Sequence, residues 1–199
     1  VGQSIGMKDE TAARCFATHN LTLSLMISLV WASILFFFSV PIVDFYELKS
    51  HIADNAVNYL RIVSTAFPFV FMSAAATGIF NASGRSKIPF TINGIGLAIN
   101  MILDPLFIFV FDWKTDGAAW ATWIAQACVF FFFVYQLKYK QILWEEFRFF
   151  GKLKRIYTTR IIKIGLPVAC LNTLFAFVNM FLGRTASTVG GHIGLMAMT

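Results

Sequence analysis

Residues 88–111 read IPFTINGIGLAINMILDPLFIFVF, and Asp104 is the only charged residue among them. A bilayer span needs about 20 consecutive, mostly apolar residues, so this stretch predicts a transmembrane helix with a carboxylate inside it. On insertion scales an Asp near the helix centre costs roughly 2.5–3.5 kcal/mol. A cation, a proton or a partner in a polar cavity must offset that cost. Helix packing alone rarely calls for an ionisable group, which makes Asp104 the first functional candidate in the chain.

The composition around this stretch agrees with a membrane setting. Of the 199 residues 58% are hydrophobic and 13% charged, with a mean hydropathy of +0.70. Soluble domains average about 25% charged residues. The expected class is therefore an all-α integral membrane protein, a polytopic helical bundle. Five spans can be marked, at 21–42, 62–80, 88–111, 117–137 and 164–183, each long enough for a hydrocarbon core of ~30 Å with some tilt. The chain opens at Val1 and stops at Thr199 within an apolar run, and is read as part of a longer protein.

Five spans distribute the connections over two sides. Residues 1–20, 81–87 and 138–160 fall on one side and bring eleven basic residues: Lys8, Arg14, Arg85, Lys87, Lys138, Lys140, Arg148, Lys152, Lys154, Arg155 and Arg160. The other side holds four, Lys49, Arg61, Lys114 and Arg184. The positive-inside rule makes the first side cytoplasmic; the expected location is the plasma (inner) membrane. The net charge of +6 thus reads as an orientation signal in contact with anionic lipid headgroups, with no nucleic-acid partner. The segment 138–160, KYKQILWEEFRFFGKLKRIYTTR, mixes aromatic and basic residues. It reads as an interfacial helix joining two bundles, or as a loop lying on the membrane surface.

Pro68 and Pro105 lie inside spans and Pro89 and Pro167 near span starts. An interior proline leaves a carbonyl without its helical partner and permits a bend. Small residues cluster beside them, from Ser73 to Gly78 and at Gly94, Gly96 and Ala98, and let helix backbones approach closely. Asn100 and Asp104 are four residues apart and share one helix face, which Gly96 extends by a turn. The next span opens GAAWATWIAQA and puts Thr122 and Gln126 on a common face. Counted inward at 1.5 Å per residue, Asp104 and Thr122 lie at one depth, roughly 8–11 Å below the same surface. A carboxylate, an amide and a hydroxyl there make an oxygen-rich cation site, with Na⁺ as the metal ion it would suit. For Asn100 and Thr122 alone, bonding to a neighbouring helix or to the helix backbone is an equal alternative.

No catalytic signature accompanies these residues. HExxH, GxSxG and the Walker loop are absent, and His19, His51 and His192 lie scattered on the flanks, so no enzyme is expected. GRSK at 84–87 lacks the upstream glycine of a phosphate loop and reads as a basic turn. Cys15, Cys128 and Cys170 have no metal or redox spacing and read as small packing residues. No cofactor is implied.

Several blocks in order carry a family resemblance: VGQSIGMKDETAAR at 1–14, YLRIVSTAFPFVFMSAAATGIFNASGRSKIPF at 59–90, INGIGLAINMILDPLFIF at 92–109, DGAAWATWIAQ at 116–126 and KIGLPVACLNTLFAFVNMFLGRTAS at 163–187. Together they resemble the multidrug and toxic compound extrusion (MATE) transporters over nearly the whole chain. The resemblance implies twelve spans in two six-helix lobes, of which residues 1–137 supply the third to sixth spans of the first lobe. Residues 138–160 are then the inter-lobe linker and 161–199 the start of the second lobe. It implies a secondary antiporter, monomeric when full length, that exports organic, cationic or amphiphilic small molecules in exchange for Na⁺ or H⁺ by alternating access. It also maps the family's cation ligands onto Asn100, Asp104 and Thr122. A second acid, on the family's first span, has no counterpart here. Two rival readings remain, a lipid-linked saccharide flippase of the same superfamily and a non-transporting membrane scaffold. The spans hold almost no internal Lys or Arg, which favours the exporter over the flippase.

Overall fold

The computed structural model describes residues 1–47, 50–138, 149–151 and 153–196, the side chains of 50, 51 and 186–196 excepted. Its helices, in chain order, are α1 (Gly2–Gly6), α2 (Glu10–Phe37), α3 (Ser39–Asp44), α4 (Ser50–Ala82), α5 (Lys87–Pro105), α6 (Lys114–Lys138) and α7 (Arg155–Met196), with a π-helical turn, Leu106–Val110, continuing α5. Five are long and apolar enough to cross a membrane: Glu10–Phe37, Ile52–Ala82, Lys87–Val110, Lys114–Lys138 and Arg155–Thr185. The five expected spans are all present, and the chain is an integral membrane protein.

The helices outrun the apolar windows, for local reasons. α2 begins at Glu10 because the Asp9 carboxylate accepts the Ala12 N–H at 2.9 Å, closing the first turn. Glu10 beside it favours the positive helix end. The preceding turn needs a left-handed residue, Lys8, at φ 59°. At the far end α2 stops at Phe38, and Pro41 falls in the first turn of α3, where its missing N–H costs nothing. α4 ends in a turn through Gly84, at φ +72°, with the Arg85 N–H donated back to the Phe80 carbonyl at 3.0 Å. Residues 139–148 and 152 of the segment 138–160, where an interfacial helix is expected, lie outside the described residues. Lys138 closes α6, and Arg155 through Arg160 form the first turns of α7.

Side by side, the long helices run α7, α2, α4, α6, α5. Between α2 and α4 lie Ala13, Ala17, Leu21, Met72, Ala75 and Ile79; between α4, α5 and α6 lie Ala76, Phe80, Ile92, Val129, Phe133 and Leu137. Alanine makes up half of the first set, which suits a lipid setting: the tails remove the hydrophobic reason for helices to associate and leave close backbone approach as the main attraction. Ser28, Ser39 and Ser64 are fully buried. Each donates its hydroxyl to a carbonyl of its own preceding turn, at Leu25, Phe36 and Arg61, which satisfies the hydroxyl without a second helix. Arg61 Nε–H donates to Ser39 Oγ at 3.0 Å and ties α3 to α4.

Candidate cation site

The site forms where α5 crosses α6, and two glycines set the approach. A Cβ on Gly96 would collide with the Val129 side chain, and one on Gly117 would meet the Phe107 backbone at 2.9 Å. Only hydrogen fits at either position. The turn between the helices is tight and passes through two non-glycine left-handed residues, Asp112 at φ 53° and Lys114 at φ 49°. The Trp113 N–H closes it onto the Phe107 carbonyl at 3.0 Å.

Asp104 sits at the end of α5, followed at once by Pro105 and the π-helical turn. Pro105 has no N–H to give the Met101 carbonyl, so the ladder is open beside the carboxylate. The turn then widens, with the Phe111 N–H reaching five residues back to the Leu106 carbonyl at 3.1 Å. Such turns recur at functional sites. The expected bend at Pro105 is thus realised as a change of helix type.

Asn100 Nδ2 donates to Asp104 Oδ1 at 3.4 Å, a long bond with room to shorten. Both side chains are half-buried, as are Thr122 and Gln126. Below the pair opens a hollow of about 220 Å³ lined by Asn93, Gly96, Leu97, Asn100, Thr122, Ala125, Gln126 and Val129. The structure therefore brings Asn100 into a bond with Asp104 and sets Asn100 and Thr122 around one space. Asp104 itself stands one turn beyond that lining. Two amides join the residues expected from sequence. Gln126 is recognisable by sharing a face with Thr122, whereas Asn93 lies seven residues before Asn100 and is signalled only by that two-turn spacing.

Among the described residues no three His, Cys, Asp or Glu side chains gather as a metal-holding group. The donor set at this crossing is one carboxylate with neutral amide and hydroxyl oxygens, which suits a hard, weakly charged cation or a proton better than a transition metal.

The MatE family model matches residues 1–106. Among curated proteins, "Multidrug export protein MepA" of Staphylococcus aureus (strain MSSA476) is 25% identical over 183 residues, covering 92% of this chain and 40% of that protein. "Probable multidrug resistance protein YoeA" of Bacillus subtilis (strain 168) is 27% identical over 213 residues, covering 99% of this chain and 46% of that protein. The chain thus spans less than half the length of these relatives. Among solved structures, an inward-facing multidrug resistance MATE family transporter of the MOP superfamily superposes with a TM-score of 0.89 at 24% identity, over 98% of this chain and 44% of that one.

Proposed function

Because this chain belongs to the MatE family, we propose that the intact protein is a secondary antiporter that exports organic small molecules, cationic or amphiphilic, in exchange for Na⁺ or H⁺. Residues 1–137 serve as part of its first lobe, 138–160 as a linker and 161–199 as the start of its second lobe. The basic excess on 1–20, 81–87 and 138–160 supports a cytoplasmic location for those segments.

The observation that carries this reading is the Asn100–Asp104 pair, a carboxylate held by an amide in an apolar helix beside a hollow that Thr122 shares. Inward movement of the ion or proton neutralises Asp104, with Asn100 and Thr122 supplying neutral oxygens. A ligand shifts a conformational balance only by its differential affinity for the two states, so the carboxylate must be more accessible, or better coordinated, in one of them. The open ladder at Pro105 and the π-helical turn beyond it support a local change of helix geometry at that point. Adaptable aromatic and Met side chains then supply loose contacts to varied substrates.

The test is Asp104→Asn in the intact protein, assayed in membrane vesicles under an imposed Na⁺ or pH gradient. Efflux falls to background while the amount of inserted protein is unchanged. Undiminished gradient-driven efflux in that variant refutes the assignment.

A further inference from the structure

Helix α7 meets the rest of the molecule at two places of contrasting chemistry. At the end that carries the basic residues, His19 is 4% exposed. Its Nδ1 lies 2.6 Å from the Cys15 carbonyl, and its Nε2 accepts the Lys154 N–H at 2.8 Å. A carbonyl can only accept and a backbone amide can only donate, so the two partners fix a neutral ring with its proton on Nδ1. Tyr157 covers it, its ring 5.1 Å from His19 and 4.8 Å from Phe16. Lys154 leads directly into α7.

At the opposite end, Arg184 Nη2 meets Glu47 Oε1 at 2.7 Å, with side chains 38% and 59% exposed. The Arg184 guanidinium also lies 4.5 Å from the centroid of the Phe45 ring, which packs edge-on against Phe181. Exposed ion pairs contribute little and exchange readily for water. A buried donor left without an acceptor is more costly.

Two hollows open beside α7 between these ends. One of about 380 Å³ lies among α1, α2, α4 and α7, with Ser4, Phe16, Ile79 and Ile161 in its lining. Another of about 360 Å³ lies among Trp31, Asn172, Thr173, Ala176, Phe177 and Met180. A helix tied by a buried bond at one end and by an exposed ion pair at the other can turn as a lever. From Arg155 to Arg184 it is about 44 Å long at 1.5 Å per residue, so a turn of about 10° at the pinned end moves the other by about 8 Å.

We propose that α7 pivots on the His19–Lys154 bond and that the Glu47–Arg184 pair, backed by Phe45, is the releasable catch at its far end. These side chains are positioning residues, which set the balance between the two access states without touching ion or substrate. The inference rests on the alternating-access reading but not on the identity of the ion ligands.

The test uses the intact protein with Cys15→Ala, Cys128→Ala, Cys170→Ala and Ala176→Cys, labelled with a membrane-impermeant maleimide from the Glu47 side. Releasing the catch raises the labelling rate about twofold in Glu47→Ala and about fivefold in Arg184→Gln, the size expected for losing a surface pair alone or with its ring contact. The exchange Glu47→Arg with Arg184→Glu returns the rate toward that of the parent. His19→Ala abolishes the difference in labelling between ion-loaded and ion-free protein, and His19→Gln, which can still donate and accept, retains it. Unchanged rates in both single catch variants overturn the proposal, as does fast labelling in the charge exchange. Should Arg184→Gln fail to insert, Glu47→Ala breaks the same pair from an exposed position. Labelling needs no transport, so a seam that opens in these variants while Asp104→Asn exports normally retires the ion assignment and leaves the catch standing.

Discussion

The α5–α6 and α2–α7 seams lie in one membrane protein and solve the same problem in opposite ways. The first is closed by absence: hydrogen in place of a side chain lets Gly117 lie against the Phe107 backbone and Gly96 against the Val129 side chain. The second is closed by polar groups at its ends, His19 with Lys154 and Glu47 with Arg184, and leaves a hollow between Trp31 and Ala176. Among lipids apolar area gives helices little reason to stay together, so the method of closure determines what can move. Backbone contact admits one geometry. Polar ties can be exchanged for water.

Substitutions can break that contrast, and the largest effect belongs to the closed seam. Gly117→Leu drives a side chain into the Phe107 backbone and lowers stability by about 3 kcal/mol, read as early thermal unfolding in detergent and loss of a monodisperse peak. Next comes the buried tie. His19→Ala strands the Lys154 N–H and costs about 2 kcal/mol in the same assay, with His19→Gln recovering part of it. Gly96→Ala meets the Val129 side chain rather than backbone, so its cost is smaller, about 1 kcal/mol. Pairing it with Val129→Ala should recover most of that loss, and additive effects in the double variant would show that the contact does not hold the seam. Smallest is Glu47→Ala, at ~0.5 kcal/mol. It sharpens the comparison most, because it pairs almost no loss of stability with a changed labelling rate.

The number of crossings was legible from hydropathy, since each apolar run is as long as a bilayer is thick. Their ends were not. α2 starts eleven residues before the apolar window because Asp9 caps it, and polar turns such as Glu10 to Arg14 are as helical as the core without being apolar. The Asn100–Asp104 bond follows from four-residue spacing alone. Counting depth along antiparallel neighbours levels Asp104 with Thr122, whereas the hollow is shared by Thr122 and Asn100, one turn from Asp104. Asn93 is not legible in this way, because a single amide in a span reads as ordinary helix packing. Pro105 announced a departure from the α-helix but not its kind. Whether a broken ladder bends or widens depends on what the neighbouring helix permits, and here Gly117 lies directly against Phe107.

The π-helical turn at Leu106–Val110 also bears on how this region tolerates changes in chain length. Such a turn holds one residue more than the α-helix it interrupts, so it works as a phase shifter of about 100°, one residue's rotation at 3.6 per turn. Deleting Ile108 would leave composition, charge and hydropathy almost untouched. It would also rotate everything after it, the Phe107–Trp113 closure and Gly117 included, relative to Asp104. In this stretch the count of residues carries information that their identities do not, and single-residue deletions should be far less tolerated than apolar replacements.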